Sequence, residues 1–137
     1  MADPDMPTPA SGQSPARFTA NELLRFGRSL LNRAGLADER ARDVAEVLLE
    51  GDLLGHKTHG FALLPRYLDA LHDGSMTKQG EPEVVADHGA ALTWDGHYLP
   101  GPWLVRRAID TARERLASFP TATIVLRRSH HIGCLQA

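Results

Sequence analysis

The chain has 137 residues, with 15 basic side chains against 17 acidic ones, a net charge of -2 and 42% hydrophobic residues. That is enough apolar mass for one small domain, and the acidic balance excludes a nucleic-acid protein, because holding phosphates takes a basic excess. A single cysteine, Cys134, excludes an internal disulfide and a multi-cysteine zinc site. No apolar run approaches the roughly 20 residues needed to span a bilayer, so no membrane partner is expected. The first residues lack a positively charged start followed by an apolar stretch, which excludes a secretory signal there and leaves the cytoplasm as the expected location.

Residues 1–17 are dominated by proline, serine, alanine and acids. Such a segment cannot offset its own ordering entropy and is expected to be a disordered leader. Order begins at Phe18. Thr19 followed by Glu22 is a capping box, with Phe18 and Leu23 as the hydrophobic staple. Leu23, Phe26, Leu30 and Leu31 then recur at helical spacing, and Gly35 ends the helix, because a left-handed cap costs glycine little. A second helix is read over residues 38–54. Val44, Val47, Leu48 and Leu49 form its buried stripe, while Glu39, Arg40, Arg42, Asp43 and Glu46 face water.

The polar segment Gly55-His56-Lys57-Thr58-His59-Gly60 interrupts the helical pattern. A third helix follows over residues 61–72, with Pro65 tolerable only near its first turn and Gly74 as its cap. Val84–Ala86 and Ala90–Trp94 read as short strands of a hairpin. Pro100-Gly101-Pro102 leads into a fourth helix ending near Ala117, with a stripe of Leu104, Val105, Ala108, Ile109, Ala112 and Leu116. Thr121–Leu126 is a continuous apolar run, the pattern of a buried strand. The fold class is therefore α/β: helices first, then short strands and a buried strand, too few for a closed sheet. The residues after that last strand look like the first turn of a further helix. This is the position where open α/β sheets bind ligands.

Seven histidines are available, four of them in two tight groups, His56 with His59 and His130 with His131. Three readings compete. The groups could ligate a metal, although no HExxH or CxxC accompanies them. One or two could exchange protons, since imidazole titrates near neutrality. Or they could cap helix carbonyls and stay solvated. His131 lies just after the last strand, between Ser129 and Gly133, and Gly133 permits close backbone approach. Arg127 and Arg128 could meet a cofactor phosphate or form a solvated strand end. No GxGxxG is present, so a standard dinucleotide fingerprint is missing.

Several segments together resemble one family. Leu54-Gly55-His56-Lys57-Thr58-His59-Gly60, then Leu64-Pro65-Arg66-Tyr67, then Asp73-Gly74, are similar to its GHxSHG…LPxYxxxxxxG signature. Thr93-Trp94-Asp95-Gly96 is similar to its strand and DG turn, and Ser129-His130-His131-Ile132-Gly133 to its SxHxG segment. This is the malate/L-lactate dehydrogenase type-2 family, which includes ureidoglycolate dehydrogenase and Δ1-piperideine-2-carboxylate reductases. The resemblance covers residues 18–137 in order.

The resemblance implies a non-Rossmann α/β fold and a homodimeric, NAD- or NADP-dependent oxidoreductase. It moves a hydride between nicotinamide and C2 of a small 2-hydroxy acid, 2-keto acid or cyclic imino acid. By the same resemblance His131 is the acid/base, and Thr58 with His59 orients substrate or relays protons. His131, Ile132, Gly133, Cys134 and Leu135 would touch the dinucleotide, and no metal is assigned. Thr58 replaces the usual serine and keeps its hydroxyl. Leu63 stands where many members carry arginine, which removes a bidentate partner for a substrate carboxylate. The family extends well beyond this length, so residues 18–137 are expected to be a truncated N-terminal part, inactive alone. The alternative is a non-enzymatic remnant or a dimerising helical module.

Overall fold

A computed structural model describes residues 17–137, and the expected leader therefore lies, apart from the exposed Arg17, outside the described residues. Helix α1 spans Ala20–Arg33 and begins at the expected capping box. The Glu22 N–H donates to Thr19 Oγ1 at 3.2 Å, and the Thr19 N–H donates to Glu22 Oε2 at 2.8 Å. Phe18 and Leu23 share a shallow apolar groove with Phe26. At the far end the Gly35 N–H donates to the Asn32 carbonyl at 3.0 Å and the Leu36 N–H to the Leu31 carbonyl at 3.1 Å. These are the paired bonds of a Schellman ending, which satisfy otherwise orphaned carbonyls.

Helix α2 spans Asp38–Leu53 and ends the same way, with Gly55 N–H to the Asp52 carbonyl at 3.0 Å and His56 N–H to the Gly51 carbonyl at 2.8 Å. Two single 3₁₀ turns follow, Lys57–His59 and Phe61–Leu63, and then helix α3, Leu64–Asp73, with Pro65 in its first turn. The three helices enclose the main core, in which Leu31, Val44, Leu48 and Leu71 are fully buried. Tyr67 is buried with them.

Strand β1, Glu83–Asp87, pairs antiparallel with β2, Ala91–Asp95. Helix α4, Gly101–Arg115, then carries the chain over to β3, Thr123–Arg127, which pairs parallel with β2. The strand order is β1-β2-β3. Leu92 and Trp94 of β2 pair with Ile124 and Leu126 of β3, and these four pack with Ala108 of α4. No helix among the described residues is long and apolar enough to cross a membrane.

Four expectations are corrected. Arg40 and Asp43 do not face water; both are buried. The Arg40 guanidinium donates to the carbonyls of Lys78 and Gly80 and lies 4.2 Å from the Trp103 ring centroid, with Arg107 at 4.9 Å on the same indole. Asp43 accepts from Arg106 at 2.9 Å, tying α2 to α4. A charge at a helix position reads as solvated only until a second element covers that face and supplies a counter-charge. Strand β3 is not a buried strand. Its residues alternate between exposed and half-buried, because α4 covers one face and no described element covers the other. Within α4, Ile109 and Leu116 are exposed rather than part of the covered stripe. Finally, the segment after β3 starts no helix: residues 128–137 are irregular, closing in a turn at Leu135-Gln136.

Candidate active site

The Schellman ending of α2 turns the chain back across the helix that it has just left. Gly51 and Gly60 make that return possible. A Cβ on Gly51 would meet the His59 carbonyl oxygen at 2.5 Å, and one on Gly60 would meet the Asp52 carboxylate. The Asp52 side chain uses that space to accept the Phe61 N–H at 2.8 Å, which fixes the second 3₁₀ turn. Thr58 and His59 are thereby held on the first 3₁₀ turn as an exposed pair, with Thr58 Oγ1 3.0 Å from His59 Nδ1.

The other half of the site comes from the segment after β3. Its path is set by close backbone approach to the start of α4: a Cβ on Gly101 would meet the carbonyl oxygens of His130 and His131 at 2.5 and 2.4 Å. Gly133 takes a φ of +77°, the left-handed conformation that favours glycine. That turn brings the Gly133 N–H back to donate to His131 Nδ1 at 3.1 Å. The His131 ring lies against the His59 ring, with centroids 5.8 Å apart and planes 29° from parallel. Thr58, His59 and His131 are therefore brought together from segments more than 70 residues apart.

Three electrostatic features set the chemistry. Partial burial, the neighbouring His59 and then Arg66 hold His131 below the ordinary histidine value. Burial, and secondarily His131, do the same for His130. Both rings thus favour the neutral form near pH 7, the state from which an imidazole can either donate or accept a hydrogen bond. Beside them lies a cleft of about 250 Å³ lined by His56, His59, Gly133, Cys134, Leu135 and Gln136. His56 Nε2 and Gln136 Oε1 bridge it at 2.5 Å.

Of the residues expected to meet a cofactor, Gly133, Cys134 and Leu135 line this cleft, and Leu135 is 82% exposed. Neither His131 nor Ile132 lines it; His131 lies beside it against His59, and Ile132 sits with Val47, Pro102 and Val105 in a second, smaller depression. Among the described residues, no group of three or more histidine, cysteine, aspartate or glutamate side chains is arranged to hold a metal ion. Tyr67, which the sequence offered only as part of the LPxY signature, joins the site: its hydroxyl oxygen lies 3.1 Å from His131 Nδ1 and 3.0 Å from the His131 carbonyl oxygen. The spacing Leu64, Tyr67, Leu71 would have put it on the buried face of α3. Arg128 is exposed just past the strand end, as one of the two expectations had it, and also clasps Asp95 through Nε at 2.8 Å.

The sequence matches the profile of the malate/L-lactate dehydrogenase family over residues 18–137. It is 34% identical over 117 residues to L-lactate dehydrogenase of Cupriavidus necator, covering 85% of this chain and 34% of that protein. It is 30% identical over 121 residues to hydroxycarboxylate dehydrogenase B of Escherichia coli strain K12, covering 88% of this chain and 34% of that protein. The fold superposes on malate dehydrogenase from Pyrococcus horikoshii OT3 with a TM-score of 0.83 at 25% identity, over 86% of this chain and 34% of that one. The chain spans about a third of the length of these relatives. Matched to that family over residues 18–137, the chain belongs to the malate/L-lactate dehydrogenase family.

Proposed function

We propose that this chain is the N-terminal part of an NAD- or NADP-dependent oxidoreductase acting at C2 of a small 2-hydroxy acid, 2-keto acid or cyclic imino acid. One observation carries the reading. His131, from the segment after β3, stacks against His59, which in turn contacts Thr58, both from the segment after α2, with the Gly133 N–H and the Tyr67 hydroxyl at its Nδ1. In this reading His131 is the acid/base. On reduction the protonated ring gives a proton to the oxygen or nitrogen on C2 and is left neutral, and on oxidation the neutral ring takes that proton back. Thr58 and His59 orient the substrate's polar end.

The cleft fits part of the cofactor. A volume of about 250 Å³ lies just under the roughly 300–1,000 Å³ of ordinary ligand sites, enough for a small acid or the nicotinamide end. No lysine or arginine lines it, so a pyrophosphate would have to be held by groups outside this cleft. When bound, the nicotinamide supplies or accepts the hydride. Gly133, Cys134 and Leu135 would form one wall beside it, with His131 next to that wall and Ile132 packed behind. Leu63, half-buried at the end of the second 3₁₀ turn, offers no charge to a second carboxylate, so monocarboxylates should be preferred over malate-like diacids.

The test is His131→Gln in the full-length protein. Turnover should fall about 10²–10⁴-fold, the usual contribution of a positioned proton donor, while cofactor affinity stays near wild type. Wild-type turnover in that variant overturns the assignment. The same reading carries a cytoplasmic homodimer, checked by sedimentation of the full-length protein.

A further inference from the structure

We propose that Arg66 is the side chain that holds the substrate's carboxylate, and so the residue by which this site selects acids. The inference rests on the reading of the site as one for a 2-keto acid or cyclic imino acid. In such a molecule the carboxylate is bonded directly to C2. The cation that holds it must therefore stand beside the group that exchanges a proton there, not at the far end of the cleft. The cleft itself carries no lysine or arginine, and Leu63 brings no charge. Arg66 lies in the first turn of α3, immediately before Tyr67, whose hydroxyl reaches His131 Nδ1. Its charge is felt at the His131 ring, which it helps, after burial and His59, to hold below the ordinary histidine value.

Arg66 is also uncommitted. Every other arginine from Arg40 onward pairs with a carboxylate of this chain at 3.5 Å or less, and those pairs join elements of the fold or sit on its surface. Arg66 is exposed and has no such partner among the described residues. A guanidinium left without an internal partner keeps its fork of N–H donors for a ligand, and a carboxylate matches that fork, two oxygens to two N–H groups. A carboxylate paired with Arg66 also cancels much of its field at His131, which favours the protonated ring that reduction requires. Lys57, in the first 3₁₀ turn, is the other cation of the histidine segment, but it is not among the charges that shift His131.

The experiment uses the full-length protein. A panel of 2-keto acids and cyclic imino acids is assayed with NADH and NADPH, and the best acid is then compared with its own primary amide, which keeps C2 and loses the charge. Arg66→Gln should raise KM for the acid about 10- to 100-fold, the scale of a hydrogen-bonded charge pair, with kcat changed less than about threefold. The unaltered protein should prefer the acid over its amide by a similar factor in kcat/KM, and Arg66→Gln should treat the two nearly alike. Arg66→Lys, which keeps the charge without the fork, should fall between. Lys57→Gln should keep the unaltered KM and preference. An undiminished preference for the acid in Arg66→Gln, or its loss in Lys57→Gln instead, overturns the proposal. If Arg66→Gln does not fold, Arg66→Lys decides, and an unchanged KM there has the same force. Failure of the unaltered protein to reduce any acid of the panel would overturn the reading of the site and this proposal with it. Wild-type turnover in His131→Gln would overturn the acid/base role alone.

Discussion

Asp95 is 3% exposed, yet Arg128 grips its carboxylate through Nε at 2.8 Å to each oxygen, and the His97 N–H donates to it at 3.0 Å. Around it His97, Tyr98 and Arg128 all hold positive φ angles of 47°, 59° and 50° without being glycine. Residues in that region persist only where their surroundings over-determine them, and here the surroundings are one carboxylate and the strand ends it joins. The hydrogen bonds from Arg128 above all pull Asp95 down to about 2. A carboxylate lowered on folding stabilises the fold above its unfolded value and loses that contribution as pH falls through the folded one. Asp95 should therefore cost the protein stability between about pH 4 and pH 2. Asp87, lowered to about 2 chiefly by Arg115, should add to the same limb. His130 and His131 are lowered as well, so their contribution is complete above about pH 6.5 and is lost as pH falls below that. Urea melts across pH 8 to 2 should show both limbs, and His131→Gln should weaken the upper one alone; a flat profile from pH 8 to 4 would sink this account. At this scale Thr58, His59 and His131 were legible from their motifs. The contact of Tyr67 with His131 was not, because the two lie 64 residues apart, and neither was the burial of Arg40 and Asp43, which depends on elements that local periodicity does not contain.

At the scale of elements, the end of α2 is where local rules and site geometry conflict. Gly51 lies within the helix, where alanine is favoured over glycine by about 1 kcal/mol. The added Cβ, however, would sit 2.5 Å from the His59 carbonyl oxygen, a distance that forces backbone apart. Gly51→Ala should thus raise the intrinsic helicity of α2 while pushing the 3₁₀ turn of Thr58 and His59 out of place. In the full-length protein we expect a lower melting temperature and at least about a tenfold loss of kcat/KM; full activity would show that the turn is not held by this contact. The capping box of α1, the glycine endings, the hairpin and α4 all follow from short-range chemistry and were readable in the chain. The two 3₁₀ turns were not, since their shape is imposed by Asp52 and Gly60 rather than by propensity.

Across the whole molecule, a helical layer of α1, α2 and α3 meets a sheet layer of three strands and α4. The α/β class and the order of elements were legible. The half-open state of β3 was not, because an apolar run reads as buried whether its cover is present or not. Val125 of β3 and Val84 and Val85 of β1 remain about half exposed, as do Ile109 and Leu116 of α4. Residues 1–137 expressed alone should bind a hydrophobic dye and self-associate at micromolar concentration, whereas the full-length protein should do neither. A monodisperse, dye-silent segment would favour an independent module over part of a larger enzyme.

Trp103 stands at the seam of the two layers, stacked with guanidinium groups from α2 and from its own helix, and Trp94 lies inside the sheet layer. These are the chain's 2 tryptophans, so the helical layer carries none. Melting of α1 or α3 would pass unseen in tryptophan emission, while any parting of the layers would wet the Trp103 indole and shift its emission to the red. The arginine-stacked indole is a built-in gauge of whether the two halves of this molecule, and with them the two halves of its histidine site, are still in contact.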